Sequence, residues 1–282
     1  MNICVLGASG FIGKHLVATL SARGNSVTPG SLRDPAAAAA LARGHDVLVN
    51  LSGEPIAGRW NAEVKKRIVQ SRENATRSLV EHLATYDDRP KAFVSGSAIG
   101  YYGTSLDATF TEASPAGNDF LANVCAGWER EAQRARDLGM RVALIRTGLV
   151  LGRDGGALAK ILPIFKTGAG GPVGSGKQWY SWVHIDDEVG IIVHAIQHGE
   201  GAYNATSPGP VQNSEFTHVL GSVVHRPAVM PAPAFALKMM FGEGATLVLD
   251  GQRVLPGHAL VEGYTFKFPK LEDALADVVS GA

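Results

Sequence analysis

The stretch Gly7-Ala8-Ser9-Gly10-Phe11-Ile12-Gly13 directly follows an apolar run, Asn2-Ile3-Cys4-Val5-Leu6. Three glycines spaced three apart thus join a strand-like segment to a helical pattern with apolar residues at Ile12, Leu16 and Leu20. In this arrangement a dinucleotide pyrophosphate rests on a helix N-terminus. The first glycine permits the tight turn, the second lets the backbone approach the phosphates, and the third lets helix and strand pack closely. A purely structural glycine turn is the alternative, because the chain contains 34 glycines.

Composition limits the classes of function. The chain has 282 residues, 45% of them hydrophobic and 18% charged, with a formal net charge of zero. Its longest basic run is Lys65-Lys66-Arg67, so the charge distribution gives no support to nucleic-acid or anionic-membrane binding. Cys4 and Cys125 are the only cysteines. With no secretory signal and no apolar stretch of about 18 residues, these features predict a protein of the reducing cytoplasm.

Strand-like and helix-like segments alternate through the first half of the chain. This rhythm predicts an α/β fold, a Rossmann-type doubly wound parallel sheet with a smaller C-terminal substrate domain. We assign residues 1–165 to the nucleotide-binding domain, to which 184–207 return, and residues 166–183 and 208–282 to the substrate domain. The predicted strands are 4–6, 26–28, 46–51, 92–95, 141–145 and 203–205. The predicted helices are 10–23, 34–43, 65–86, 119–138, 186–198, 214–224, 235–241 and 271–279.

The residues about 20 positions past the glycines indicate which cofactor is used. An acid there favours NAD, whereas an arginine favours NADP. Asp34 precedes Pro35 and is expected to cap a helix, which leaves Arg33 free for a 2′-phosphate, with Ser31 adding a hydroxyl. We therefore favour NADP(H) over NAD(H). The alternative is an arginine that merely faces solvent.

Several distinctive strings follow in order along the chain: NLSGEPIAGRW (50–60), SGSAIGYYG (95–103), RTGLVLGRDGGAL (146–158), GGPVGSGKQWYSWVHIDD (170–187) and LDGQRVLP (249–256). With them the whole chain resembles the extended short-chain dehydrogenase/reductase superfamily. It is most similar to the atypical NAD-dependent epimerase-like branch, the sugar-nucleotide epimerase-like family with its own C-terminal domain. The resemblance implies an oxidoreductase or epimerase fold that binds a nicotinamide cofactor.

One departure from that superfamily concerns catalysis. Active members carry a Tyr-x-x-x-Lys pair on the helix after the fourth strand, where tyrosine is the acid/base and lysine holds the nicotinamide ribose. Trp128-Glu129 sets the register of this helix, which places Leu121 at the tyrosine position and Cys125 at the lysine position. Neither side chain can replace the couple in proton transfer. Cys125 is most simply a small buried apolar residue.

Other groups must therefore move any proton. The resemblance assigns Ser97, at the end of the fourth strand, to polarising a substrate carbonyl or hydroxyl. Tyr101 and Tyr102 follow it closely and are the proton-transfer candidates, with Glu112 a weaker one. Aromatic packing beneath the loop is the alternative role for Tyr101.

The remaining candidates line the cofactor and substrate clefts. Predicted cofactor contacts are Gly7, Ser9, Gly10, Phe11, Ile12, Gly13, Ser31, Arg33, Leu51, Ser52, Gly53, Glu54, Ser95, Gly96, Arg146, Thr147, Gly148 and Val150. Arg146 has an alternative role as an internal ion-pair partner. Predicted substrate contacts are Lys177, Gln178, Trp179 and Trp182, because tryptophan faces stack on rings and lysine binds anions. Lys177 and Arg253 are anion-binding candidates, and a structural loop with aromatic anchors is the alternative.

No metal site is predicted. His184 and Asp186-Asp187 lie at a strand-to-helix boundary, where a helix cap and a core histidine are the simpler roles.

Two functional readings remain open. The first is an NADP(H)-binding oxidoreductase or epimerase-like protein acting on a small polar or sugar-like molecule. A nucleotide-sugar epimerase would retain a tightly held oxidised cofactor. The second is a catalytically weak NADPH sensor or partner-docking protein. A homo-oligomer is possible, and the helix predicted over 65–86 is a candidate interface.

Overall fold

The computed structural model describes residues 1–280, with a six-stranded parallel sheet at its centre. The strands of this part are β1 (Asn2–Leu6), β2 (Ser26–Gly30), β3 (Val47–Asn50), β4 (Ala92–Ala98), β5 (Thr109–Phe110), β6 (Arg141–Thr147), β7 (Leu149–Leu151), β8 (Trp179–Tyr180), β9 (Trp182–His184), β10 (Gly201–Ala205), β11 (Val211–Gln212) and β12 (Arg253–Val254). The central sheet has the order β10-β6-β4-β3-β1-β2. Because β2 and β3 flank β1 on opposite sides, a crevice opens at the carboxyl ends of β1 and β3. The predicted doubly wound α/β class is confirmed.

Helices cover both faces of the sheet and build the C-terminal region. They are α1 (Phe11–Ala22), α2 (Pro35–Ala42), α3 (Ala62–Val69), α4 (Ala75–Leu83), α5 (Phe120–Gln133), α6 (Leu158–Lys166), α7 (Ile185–Gln197), α8 (Asn213–Val223), α9 (Ala234–Phe241), α10 (Thr246–Leu249), α11 (Gly257–Val261) and α12 (Leu271–Ser280). The single helix predicted over 65–86 starts earlier, at Ala62, and contains a π turn at Gln70–Asn74 between α3 and α4. Within residues 1–280, no helix combines the length and apolar character needed to span a membrane.

The sequence of β1 shows why the sheet is buried on both faces. Ile3 and Val5 belong to one hydrophobic cluster, together with residues of α1 and α7. Cys4 and Leu6 point to the other face and join residues of α2 and α4. All four side chains are fully buried, as expected for a parallel strand with helices on each side.

A third hydrophobic cluster forms the C-terminal region. Trp182, Phe216 and Leu275 are completely buried in it. The segment after α11 is tied to α7 by Asp187, whose carboxylate accepts the amide N–H groups of Lys267 at 2.7 Å and Phe268 at 2.8 Å. β10 pairs with β6 inside the central sheet, so the chain does return to that sheet. The exact division into two domains stays a prediction.

Candidate functional site

The turn between β1 and α1 requires its glycines. Gly7 has a φ of +82°, a conformation that glycine adopts without strain. A Cβ atom at Gly13 would lie 2.2 Å from the carbonyl oxygen of Gly7, and one at Gly7 would lie 2.9 Å from the carbonyl carbon of Leu51. The first turn of α1 receives no side-chain cap from the described residues. Its free N–H groups and the backbone cradle fit the diphosphate of a dinucleotide.

The ring of Phe11 packs against a loop of the protein. Cβ atoms at Gly152 and Gly155 would lie 2.5 and 2.4 Å from ring carbons of Phe11, so the loop after β7 packs directly on this ring. His15, one turn along α1, lies 3.0 Å from the Asp154 carboxylate. The glycines of RTGLVLGRDGGAL therefore position a loop over the start of α1, a role that the sequence alone did not reveal.

The end of β2 presents an exposed cation. Asp34 caps α2, since its Oδ1 accepts the N–H groups of Ala36 at 3.0 Å and Ala37 at 3.1 Å. Arg33 is exposed, and its own N–H donates to Ser31 Oγ at 3.3 Å. The Asp34 carboxylate thus caps α2, as predicted. No acceptor within residues 1–280 engages the Arg33 guanidinium.

The segment after β3 is held to the helical stretch that follows it. The Glu54 N–H donates to Ser71 Oγ at 3.0 Å, and the Glu54 carboxylate accepts from Arg67 Nε at 3.3 Å. A Cβ atom at Gly53 would lie 2.9 Å from Cζ of Arg72, so glycine admits that guanidinium. The register of β3 on β1 brings this segment beside the glycine turn.

The Ser95 side chain is turned into the protein, so its predicted cofactor contact stays a prediction for the backbone alone. It is completely buried, and its hydroxyl donates to the Gly96 carbonyl at 3.2 Å. Gly96 lies against the indole of Trp128, because a Cβ atom there would be 3.1 Å from Cη2.

A buried polar network occupies the ends of β4 and β6. Glu129 accepts two bonds of 2.8 Å from Arg146, through Nε and Nη2. The Ser97 hydroxyl donates to Glu129 Oε1 at 2.6 Å. Arg146 Nη1 donates to the Tyr102 hydroxyl at 2.8 Å, which donates to Asn204 Oδ1 at 2.6 Å. Each of these five side chains is at most 5% exposed.

This network corrects three predictions. Ser97 and Tyr102 have their hydroxyl groups engaged inside the protein, and burial raises the pKa of Tyr102 to about 12. Arg146 is an internal ion-pair partner, not a cofactor contact. Glu112, the weaker candidate, also has a structural role, because its Oε1 accepts the Asn204 N–H at 2.9 Å.

Tyr101 differs from these residues. It is only partly buried, and its ring lies 3.6 Å from the Arg146 guanidinium carbon. No hydrogen-bond partner for its hydroxyl occurs in the described part of the chain. Of the three predicted catalytic residues, it alone keeps a hydroxyl available to a ligand.

The positions that should hold the tyrosine and lysine face the turn after β4. A Cβ atom at Gly100 would lie 3.4 Å from Leu121 Cβ and 3.8 Å from Cys125 Sγ. Burial raises the pKa of the Cys125 thiol to about 12, so it stays protonated and unreactive at neutral pH. This face of α5 provides contact surface and no proton-transfer group.

Most polar groups at and just after the end of β6 form hydrogen bonds within the protein. The Gly148 N–H donates to the Ala205 carbonyl at 3.0 Å, and Val150 is buried. Thr147 Oγ1 donates to Glu188 Oε1 at 2.7 Å. Glu188 is fully buried, its Oε2 has no partner within residues 1–280, and burial raises its pKa to about 8. Sequence reasoning missed this acid, although it directly follows Asp186-Asp187.

Two predicted substrate contacts are wrong. Trp182 is completely buried, and its Nε1 donates to the Gly209 carbonyl at 2.8 Å, so its ring cannot stack on a ligand. Gln178 is 1% exposed and its Nε2 bridges the Val173 and Val248 carbonyls.

The other two predicted substrate contacts remain accessible. Lys177 is exposed. Trp179 is partly exposed, with the Arg253 guanidinium carbon 4.9 Å from its ring. An aromatic face with one cation beside it is therefore accessible here, and exposed Lys177 lies two residues earlier in the chain.

The structure gives His184 a capping role, with Nδ1 accepting the Asp186 N–H at 3.2 Å. Within residues 1–280, no group of three or more His, Cys, Asp or Glu side chains is arranged to hold a metal.

The parallel sheet and glycine turn place the molecule in the class of Rossmann-type dinucleotide-binding folds. The model of the NAD dependent epimerase/dehydratase family matches residues 3–206, and a domain of unknown function, DUF1731, matches residues 232–278. Epimerase family protein SDR39U1 of Homo sapiens is 38% identical over 294 residues, spanning 99% of this chain and 100% of the human protein. Its chloroplastic homologue from Arabidopsis thaliana is 43% identical over 302 residues, spanning 99% of this chain and 87% of the plant protein.

Solved structures agree. Human SDR39U1 isoform 2, crystallised with NADPH, superposes with a TM-score of 0.93 at 35% identity over 100% of both chains. A UDP-glucose 4-epimerase from Thermotoga maritima, with 18% identity and a TM-score of 0.82 over 99% of this chain and 98% of that one, shares the fold. The chain belongs to the NAD-dependent epimerase/dehydratase family, which confirms the resemblance drawn from its motifs. The cytoplasmic location and any oligomeric state stay predictions.

Proposed function

We propose that this protein is an NADP(H)-binding oxidoreductase or epimerase-like protein that acts on a small polar or sugar-like molecule. The observation that carries this proposal is the glycine cradle of Gly7 and Gly13 beside an uncapped α1 N-terminus. The full-length likeness to a relative crystallised with NADPH supports it. Arg33 just past β2 is exposed and its guanidinium has no acceptor within residues 1–280, which favours NADP(H) over NAD(H).

The residues at the site define how the protein would work. The α1 N-terminus would hold the diphosphate, and the 51–54 segment would line the neighbouring ribose. NADPH supplies a hydride when bound. Tyr101, with an available hydroxyl, is the group of this chain best placed to donate a hydrogen bond or proton to a substrate oxygen. The Trp179 face and its neighbouring cations Lys177 and Arg253 suit a ring-bearing anion.

A fluorescence titration with NADPH and NADH tests the binding step. The bound NADPH is then mixed with a panel of carbonyl compounds in single turnover, using wild type and Tyr101→Phe. We expect NADPH to bind more tightly than NADH, and oxidation by one class of carbonyl to slow in Tyr101→Phe. Tyr102→Phe is a control for the loss of a hydroxyl that is sealed inside the protein. Absence of NADPH binding would contradict the proposal.

The Ser97 and Tyr102 hydroxyl groups are buried in internal hydrogen bonds, which favours a second candidate: an NADPH sensor or docking protein with little catalytic activity. This reading expects NADPH binding without oxidation by any carbonyl. It also expects a partner protein that co-purifies only when NADPH is present. The single-turnover experiment therefore separates the two functions.

A further inference from the structure

Arg72 is a partly buried cation that forms no salt bridge within residues 1–280, although the Glu54 carboxylate interacts with it electrostatically. It lies in the π turn at Gln70–Asn74, a feature that is frequent at functional sites. The other arginines of this helical stretch pair with carboxylates, Arg67 with Glu54 and Arg77 with Glu73. Within residues 1–280, the only acceptor for Arg72 is Ser71 Oγ, at 3.4 Å.

The guanidinium of Arg72 lies between the cofactor edge of the sheet and α5. Its Cζ would be 2.9 Å from a Cβ atom at Gly53, just past β3. On the other side it is 5.3 Å from the ring of Trp128. Trp128 lies one helical turn along α5 from Cys125, the residue at the position of the missing lysine.

Two further unpaired donors belong to residues that adjoin this point. Asn50 is completely buried and its Nδ2 has no partner in residues 1–280, and Trp128, 6% exposed, has an equally unpaired Nε1. Gly96 connects the two, since a Cβ atom there would contact both the Trp128 ring and the Asn50 carbonyl. Burying a hydrogen-bond donor without an acceptor costs free energy, and native proteins seldom leave buried donors without a hydrogen bond. The Arg72 guanidinium and these two unpaired donors fit a ligand that brings acceptor oxygens.

We propose that Arg72 binds the nicotinamide ribose of the cofactor and takes over the role of the lysine that Cys125 replaces. The proposal rests on the proposed function, because it assumes NADP(H) in the crevice. A guanidinium stays charged at any physiological pH and offers five N–H donors. Reaching from the stretch between α3 and α4, it supplies the ribose-holding cation from a different helix than the usual lysine. Burial lowers the pKa of Arg72 from its ordinary value, and acceptor oxygens on a ligand would relieve this destabilisation.

Comparing the binding of two ligands distinguishes contacts to the nicotinamide half of the cofactor from contacts to the adenosine half. NADPH carries both halves, whereas 2′,5′-ADP carries only the adenosine half, which the glycine turn and Arg33 are expected to hold. In Arg72→Met we expect NADPH affinity to fall by about 10- to 100-fold, in line with the loss of charged hydrogen bonds, while 2′,5′-ADP affinity is unchanged. Arg77→Met, which removes a neighbouring arginine paired with Glu73 and Glu131, is the matched control and should alter neither ligand.

A rescue variant sharpens the test. Arg72→Met combined with Cys125→Lys returns a cation to the superfamily position, and we expect it to regain about tenfold of the lost NADPH affinity. Retained 2′,5′-ADP binding reports that each variant is folded, and Arg72→Gln replaces Arg72→Met if the latter is not recovered as folded protein.

The inference is overturned if wild type binds NADPH but the folded Arg72 variant binds it equally well. It is also overturned if NADPH and 2′,5′-ADP weaken together. Failure of the wild-type protein to bind NADPH would instead contradict the proposed function.

Discussion

The two halves of the crevice satisfy their polar groups in opposite ways. Near the ends of β1, β2 and β3, within residues 1–280, the α1 N-terminus has no side-chain cap, the Arg33 guanidinium has no acceptor, and Arg72 has only Ser71 Oγ. At the ends of β4 and β6, Ser97, Arg146 and their neighbours satisfy one another. The first half leaves donors free for a ligand, whereas most polar groups of the second half pair within the protein, apart from the Tyr101 hydroxyl and Glu188 Oε2. The lysine-equivalent position, Cys125, is buried, and the tyrosine-equivalent position, Leu121, is partly buried against its neighbours.

The largest expected effect concerns the polar network at the ends of β4 and β6, which we call the sealed half of the crevice. Arg146→Met leaves the Glu129 carboxylate buried without its cation, and loss of one partner from such a pair costs about 3–5 kcal/mol. We expect the free energy of unfolding, measured by urea denaturation, to fall by that amount. Glu129→Gln combined with Arg146→Met should be less destabilising than Arg146→Met alone, because no charge is then left unpaired. A loss below about 1 kcal/mol would mean that the network is not a structural unit.

The next largest effect concerns the ends of β1, β2 and β3, which we call the open half of the crevice. Gly13→Ala places a methyl group 2.2 Å from the Gly7 carbonyl oxygen, so the phosphate-binding turn must shift. We expect NADPH affinity to fall at least about 100-fold in a fluorescence titration, since the glycine cradle holds the diphosphate. Gly209→Ala is the control, because its Cβ would make only an ordinary 3.5 Å contact with the Pro269 carbonyl. Unchanged NADPH affinity in Gly13→Ala would remove the turn from the site.

The same contrast explains what could be predicted from sequence. Gly7, Gly13 and the Asp34 cap each express a local backbone requirement, so their roles were readable from spacing alone. Ser97 and Tyr102 were misassigned because their fate depends on Glu129 and Asn204, which are 32 and 102 residues away along the chain. Tertiary pairing of this kind leaves no periodic signal.

Trp182 shows the same limit for apolar residues. Its spacing from Trp179 is compatible with a stacking surface, but β9 directs it into the third hydrophobic cluster. Arg72 escaped notice because its environment is created by a π turn and by the approach of Gly53 and Trp128 from other segments. The fold and the backbone geometry of the glycine turn were therefore predictable, whereas the side-chain pairing at the ends of β4 and β6 required the packed structure.

A smaller effect tests whether the sealed half contains a neutral acid. Burial raises the pKa of Glu188 from 4.5 to about 8. Glu188 therefore leaves the free energy of unfolding undiminished below its pKa in the unfolded chain, 4.5. As the pH rises from there toward the folded-state pKa of about 8, the free energy of unfolding falls. Between about pH 5 and about pH 6.5, wild type should lose about 2 kcal/mol relative to Glu188→Gln, since each pKa unit corresponds to about 1.4 kcal/mol.

Urea denaturation of both proteins at the two pH values gives this difference directly. Titrations of the histidines cancel because they are shared by wild type and the variant. Glu188→Gln keeps an acceptor for the Thr147 hydroxyl, which donates to Glu188 at 2.7 Å. An equal pH dependence of the two proteins would show that Glu188 is ionised in the folded state.

The smallest effect expected concerns cofactor choice at the open half. Arg33 is exposed, and its guanidinium has no acceptor within residues 1–280, so Arg33→Ala removes no bond within this part of the protein. We expect NADPH affinity to fall by about tenfold while NADH affinity is unchanged, because only NADPH carries the 2′-phosphate that an arginine would bind. Arg43→Ala, which removes another exposed arginine whose partner is Asp88, should change neither affinity. If Arg33→Ala weakened NADH and NADPH equally, Arg33 would contact a part common to both cofactors, and the preference for NADP(H) would have to arise elsewhere along β2 and α1.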